Sequence, residues 1–194
     1  YQNIRPILTP RFVPSCSDVL MNALGRLAER YQLPVQSHLC ENHSEIEWVR
    51  SLCPGAGSYA NAYARWGLFG DTPTVMAHCI HCTDDELDLM RVNGVFAAHC
   101  PESNMNLSSG IAPVRKLLQS GIPTGLGTDI AGGSSLSIFR ATAQAIQNSK
   151  LYRAVIDSDC PPLTLAEAFY LATKGGGAFW GKVGSFASGF AFDA

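Results

Sequence analysis

One unit recurs along this chain and limits what it can fold into. A short apolar run ends at or beside an ionisable residue, and a stretch with apolar residues at helical spacing follows. Val35-Gln36-Ser37-His38-Leu39 precedes residues 45–52, and Thr74-Val75-Met76-Ala77-His78 precedes residues 83–90. Val95-Phe96-Ala97-Ala98-His99 precedes, after a loop, residues 114–118, and residues 123–129 precede residues 138–149. Short apolar runs with little alternation suit parallel strands, because crossover helices cover both faces of such a sheet. The alternation therefore predicts an α/β chain with a parallel sheet. An earlier unit reads as a strand end over residues 7–12 and a helix over residues 17–31, with Ser17 as its N-cap. Thr83 and Glu86 have capping-box spacing, and Gly94 and Gly121 sit where helix C-caps belong. Residues 100–110 read as a long polar loop, a class of segment that usually serves function. A last helix is expected over residues 166–173, then a turn over residues 184–189.

Composition narrows the function classes. Of 194 residues, 46% are hydrophobic and only 15% charged, which demands extensive burial and excludes a disordered chain. A net charge of −2 without any Lys/Arg run argues against binding a nucleic-acid backbone. No apolar stretch reaches the length of a membrane-spanning helix. The seven cysteines are odd in number and sparse for a disulfide scaffold, which favours reduced thiols in a cytoplasmic protein. The chain starts at Tyr1 with no leader-like segment, and it is expected to lack its natural start and its extreme C-terminus.

Chemistry gathers at the strand ends. His38, His78, His99 and Asp129 each stand at the end of a predicted strand. In a parallel α/β barrel all those ends meet on one face, where catalytic groups collect. Imidazole nitrogens with a carboxylate oxygen are the donor set of a catalytic zinc with an open position. Glu41, three residues after His38, would stand in the following loop above the same mouth. There it could move a proton between a metal-activated water and a leaving group, or else merely cap the next helix. Cys79-Ile80-His81-Cys82 contains a C-x-x-C, but no second pair accompanies it. His43 and His81 read as loop residues, and Cys40 and Cys100 lie near the mouth without a base partner.

Several segments together resemble the amidohydrolase superfamily. Ser37-His38-Leu39-Cys40-Glu41 is similar to its H-x-x-E segment, and Met76-Ala77-His78 to its next strand. Ala98-His99-Cys100-Pro101-Glu102-Ser103-Asn104 resembles the H-C-P-x-S-N loop of the aminohydrolase branch, and Gly125-Leu126-Gly127-Thr128-Asp129 the strand with the last metal ligand. Ile130-Ala131-Gly132-Gly133 and Thr9-Pro10-Arg11-Phe12 point to the guanine-deaminating group of that branch. The resemblance implies the C-terminal part of a (β/α)8 TIM-type barrel over residues 1–180, and over 181–194 the start of a return to a small β domain. It implies one zinc ion held by His38 and Asp129, with His78 either a further ligand or the group that polarises the zinc-bound water, and hydrolytic deamination of guanine to xanthine and ammonia. Glu41, His78 and Asp129 would be catalytic, while Arg11 and Phe12, with His38, Glu41 and Asp129, would contact the substrate. The implied partner is a small purine, with a homodimer for the whole protein. The family's H-x-H metal pair is absent here, so these residues alone are not expected to turn over. Two other readings stand beside this one. The chain could act on another aminopurine, a pterin or a triazine, or it could be a non-catalytic barrel-derived binding protein. A third, smaller reading has Cys79 and Cys82 carry metal or redox chemistry.

Overall fold

A computed structural model describes residues 4–192 of the chain. Four strands form a parallel sheet in sequence order: β1 (Val35–Leu39), β2 (Thr74–His78), β3 (Phe96–His99) and β4 (Thr124–Leu126). The register pairs Leu39 with His78, Ala77 with Ala98, and His99 with Leu126, so the strands finish nearly level. Helices α1 (Asp18–Tyr31), α2 (His43–Leu52), α3 (Tyr59–Ala64), α4 (Asp84–Val92), α5 (Pro101–Asn106), α6 (Val114–Gln119), α7 (Ile138–Val155) and α8 (Leu165–Tyr170) lie before, between and after them.

Local signals start the helices where expected. Ser17 accepts the Leu20 amide at the head of α1, and Thr83 with Glu86 completes a reciprocal capping box on α4. Gly94 and Gly121 take positive φ just after their helices. One face of the sheet is sealed. Val35, Leu39, Met76 and Ala97 are buried with Met21, Tyr63, Leu68, Phe69, Met90 and Leu117 in one core. On the opposite face His38, Val75, Ala77, Phe96 and Ala98 stay half-buried and Gln36 is exposed. Close backbone approach explains one glycine at the edge of β4. A Cβ on Gly125 would lie 2.7 Å from Gly176 Cα, in the turn after a π-helical segment, Leu171–Gly175, that continues α8.

The structure corrects several local expectations. Residues 7–12 are not a strand, and only Leu8 bridges to Val35. The segment expected to be a polar loop contains α5, in which Pro101 through Asn104 are buried. Pro101 occupies the first turn, where its missing N–H costs nothing and its fixed φ favours the helix. β4 ends at Leu126, three residues before Asp129, and α7 runs on to Val155. Helix α3 was not anticipated. Residues 181–192 form bends and turns, and Asp193 and Ala194, the end of the expected 181–194 segment, lie outside the described residues, as do Tyr1 to Asn3 of the 1–180 segment.

A second, smaller core of Val114, Ala145, Leu163, Ala168 and Leu171 joins α6, α7 and α8. Arg115 clamps it. Its guanidinium donates to both Glu167 oxygens at 2.6 and 2.9 Å and to the Pro161 and Pro162 carbonyls. The Arg115 hydrogen bonds, aided by Thr164, hold the Glu167 carboxyl down at about 2 from 4.5. A depressed carboxyl stabilises the fold above its unfolded value and loses that contribution as pH falls from about 4.5 through about 2. Glu167 is a third exposed, so screening cuts the linkage to about 1–2 kcal/mol. Replacing Arg115 by Met should cost that much at pH 7 in a urea titration. It should also flatten the acid limb of the stability curve below pH 4.5.

Candidate functional site

The mouth is built where strands leave the ladder. Four residues there, Cys40, His78, Cys79 and Asp129, have φ between 46° and 73°, a region that costs a non-glycine residue about 1 kcal/mol or more. These turns redirect side chains that would otherwise alternate up and down the strand.

His78 is at the centre. It is 1% exposed, and its Nδ1–H donates to Asn104 Oδ1 at 2.8 Å, so Nε2 carries the lone pair. That nitrogen has no hydrogen-bond partner among the described residues. It faces Glu41 Oε2 at 3.8 Å and Asp129 Oδ2 at 3.9 Å. A bare lone pair between two carboxylate oxygens is an arrangement a cation would satisfy. His38 stacks on His78 with ring centroids 5.1 Å apart, and its Nδ1–H donates to the Arg11 carbonyl at 2.5 Å. A backbone acceptor on one ring nitrogen leaves the other free as a ligand, the usual support for a metal-bound imidazole.

Each carboxylate is oriented by a serine. Ser103 Oγ donates to Asp129 Oδ2 at 2.5 Å, and Ser109 Oγ donates to Glu41 Oε1 at 2.9 Å. The helix-capping alternative for Glu41 does not hold. Glu45 caps α2 together with Asn42, and Glu45 Oε2 also accepts the Glu41 amide at 2.9 Å. Glu41 is thus anchored by its backbone while Oε2 remains directed at His78. A further contact steadies Ser109, because His81 Nε2–H donates to the Ser109 carbonyl at 2.8 Å. His43, which opens α2, lies against His81 with ring centroids 4.0 Å apart and planes tilted by 33°.

The segment before α1 covers His38. Ser37 Oγ donates to the Pro10 carbonyl at 2.8 Å, and Phe12 lies 6.3 Å from the His38 ring and edge-on to Trp48 at 6.2 Å. The exposed Arg11 guanidinium sits 5.5 Å over the Phe12 ring. His99 differs from the other strand-end groups. It is 1% exposed and neither ring nitrogen has a partner among the described residues. Burial, then the neighbouring His78, lowers its pKa to about 4 and keeps it neutral near pH 7.

The structure therefore brings His78, Glu41 and Asp129 together, with His38 stacked alongside and Arg11 and Phe12 at its edge. His38, His78 and Asp129 are not drawn into one tight group. Among the described residues, the one set of such side chains whose donor atoms all lie within 4.8 Å of one another is Cys40, Cys82 and Glu86. Sequence reading missed Ser103, Asn104 and Ser109 as orienting residues. Pro101 followed by an acid was the available signal that helix α5 carries the first two.

The amidohydrolase family model matches residues 2–194. Guanine deaminase of Dictyostelium discoideum is 45% identical over 98% of this chain, which spans 43% of that protein. A crystal structure of guanine deaminase from C. acetobutylicum with guanine bound in its active site superposes with a TM-score of 0.94 at 53% identity, covering 97% of this chain and 45% of that one. An adenosine deaminase from Xanthomonas campestris with bound zinc matches at a TM-score of 0.79 and 27% identity, over 92% of this chain and 40% of that one. The chain thus spans less than half the length of these relatives.

Proposed function

Because this chain belongs to the amidohydrolase family, we propose that the mouth formed by His38, Glu41, His78 and Asp129 serves hydrolytic deamination of guanine to xanthine and ammonia. Its fold is α/β, the four-strand parallel sheet and helices forming part of a (β/α)8-type barrel. The observation that carries the proposal is the buried, unpartnered His78 Nε2 between the Glu41 and Asp129 oxygens. The guanine-bound relative supports the choice of substrate.

Zinc fits this donor set, as the zinc-bound relative also suggests. His38, His78 and Asp129 would hold it, and when bound it supplies the Lewis acidity that makes water a nucleophile near neutral pH. The remaining work falls to side chains. Asn104 fixes the His78 tautomer, and the Arg11 carbonyl fixes that of His38. Ser103 holds one Asp129 oxygen, which limits the carboxylate to a narrow range of orientations. Glu41, anchored through Oε1 by Ser109, uses Oε2 to take a proton from the attacking water and deliver it to the purine. One water is consumed, and the exocyclic nitrogen leaves as ammonia. Phe12 offers an apolar edge to the ring, and Arg11 is the cation available for a carbonyl oxygen.

The same reading takes a small purine as the partner, two paired copies of the whole protein, and a cytoplasmic location. None of the described helices is long and apolar enough to cross a membrane. Incubating the whole protein with guanine should release ammonia and xanthine in equal amounts. Adenine, pterin and triazine substrates run in parallel should be slower. Faster turnover of any of them would displace guanine, and no turnover of any would favour a non-catalytic binding protein.

A further inference from the structure

A second group of donors lies beside the mouth. Cys40 follows β1, Cys82 precedes α4, and Glu86 is in the first turn of α4; their sulfur and oxygen atoms all lie within 4.8 Å of one another. Cys40 is fully buried, and its Sγ is 3.6 Å from both Glu86 oxygens. Glu86 is 4% exposed and is held in place by four donors. The Tyr59 and Ala60 amides meet Oε1 at 3.0 and 3.2 Å, and the Thr83 amide and hydroxyl meet Oε2 at 3.0 and 3.2 Å. So dense a set of donors fixes the position of the carboxylate inside the protein. No basic side chain pairs with it among the described residues. The buried Cys79 thiol donates to the Met76 and Ala77 carbonyls at 3.5 and 3.9 Å.

We propose that Cys40, Cys82 and Glu86 form a second metal site, separate from the His78 centre although Cys40 stands at the rim of the mouth, that takes a thiophilic divalent cation such as zinc or cadmium. Two sulfurs and a carboxylate supply three of the four donors of a tetrahedral site, and they are soft enough to prefer such a cation over magnesium or calcium. The Cys40 S–H faces the carboxylate, so a cation would replace that proton as the bridge between sulfur and oxygen. Binding breaks two S–H bonds, forms two metal–sulfur bonds and releases both protons to solvent. A cavity of about 360 Å³ runs past Ile46, Tyr59 and Thr83 to Glu86 and provides a route for the ion. Because β1 and β2 lead directly from this group to His38 and His78, an ion here would brace the wall of the mouth. The proposal does not depend on guanine being the substrate.

The probe is cadmium chloride, titrated into the protein and followed by thiolate-to-cadmium charge-transfer absorption. Imidazole and carboxylate ligands do not produce that band, so the mouth is silent in it. The expected result is a band saturating at one equivalent of thiolate-bound cadmium, retained in Asp129→Asn and in Cys160→Ser. Cys40→Ser and Cys82→Ser should each weaken the binding it reports by about 100-fold or more. In the unaltered protein, cadmium should also shield the half-buried Cys82, and not Cys160, from alkylation read by mass spectrometry. This second readout needs no variant to fold. No charge-transfer band, or a band that survives both serine substitutions, overturns the proposal, as does equal alkylation of Cys82 with and without cadmium.

Discussion

Glutamine at position 41 should lower ammonia release from guanine by roughly 10²–10⁴-fold, the usual worth of a positioned general acid–base. The substitution keeps the shape of the side chain. The Glu45 carboxylate would still accept the residue 41 amide, and the side-chain oxygen could still accept from Ser109. What disappears is a group that can receive a proton beside His78. The loss should therefore appear in kcat, with KM and zinc content nearly unchanged. Steady-state rates with metal analysis on the same samples make the comparison. Equal rates in the two proteins would remove Glu41 from the mechanism. A loss confined to KM would make it a substrate contact alone.

Asparagine at position 129 should do more, because one side chain is assigned two tasks there. Turnover should fall by about 10³-fold or more, and zinc retained through dialysis should fall with it. The Ser103→Ala variant separates the tasks. It removes the 2.5 Å hydrogen bond to Asp129 Oδ2 and leaves the carboxylate charge in place. Losing such an orienting partner typically costs 10–100-fold, so Ser103→Ala should be slower yet hold most of its zinc. If Asp129→Asn keeps full zinc and full activity, neither assigned role survives.

The two variants probe parts of the mouth that differ in how visible they were from sequence. Asp129 stands three residues past the end of β4, whereas the strand-end positions of His38 and His78 follow from local pattern. So do the N-cap at Ser17 and the capping box of Thr83 and Glu86, because caps join residues three apart. Helix α5 was hidden because its buried positions, Pro101 to Asn104, are contiguous and polar, without apolar spacing to mark a face. Glu41 was plausible as the cap of α2. The Tyr59 hydroxyl at 2.7 Å and the Asn42 cap assign that task to Glu45, and Tyr59 belongs to a short helix marked locally only by its Ser58 N-cap.

By itself, the sequence determined the alternation of buried parallel strands with helices, and so the gathering of ionisable residues at one end of the sheet. Periods of 2 and 3.6 residues and short-range caps are written in neighbouring positions. Only the tertiary structure decided what each gathered group became. His99 is sealed and neutral, while His78, equally buried, turns a bare nitrogen toward two carboxylates. Cys40 meets Glu86, 46 positions further along the chain. Once a strand leaves its ladder, the backbone angle and the packed neighbours choose where a side chain points. Those neighbours come from distant segments that no local period connects.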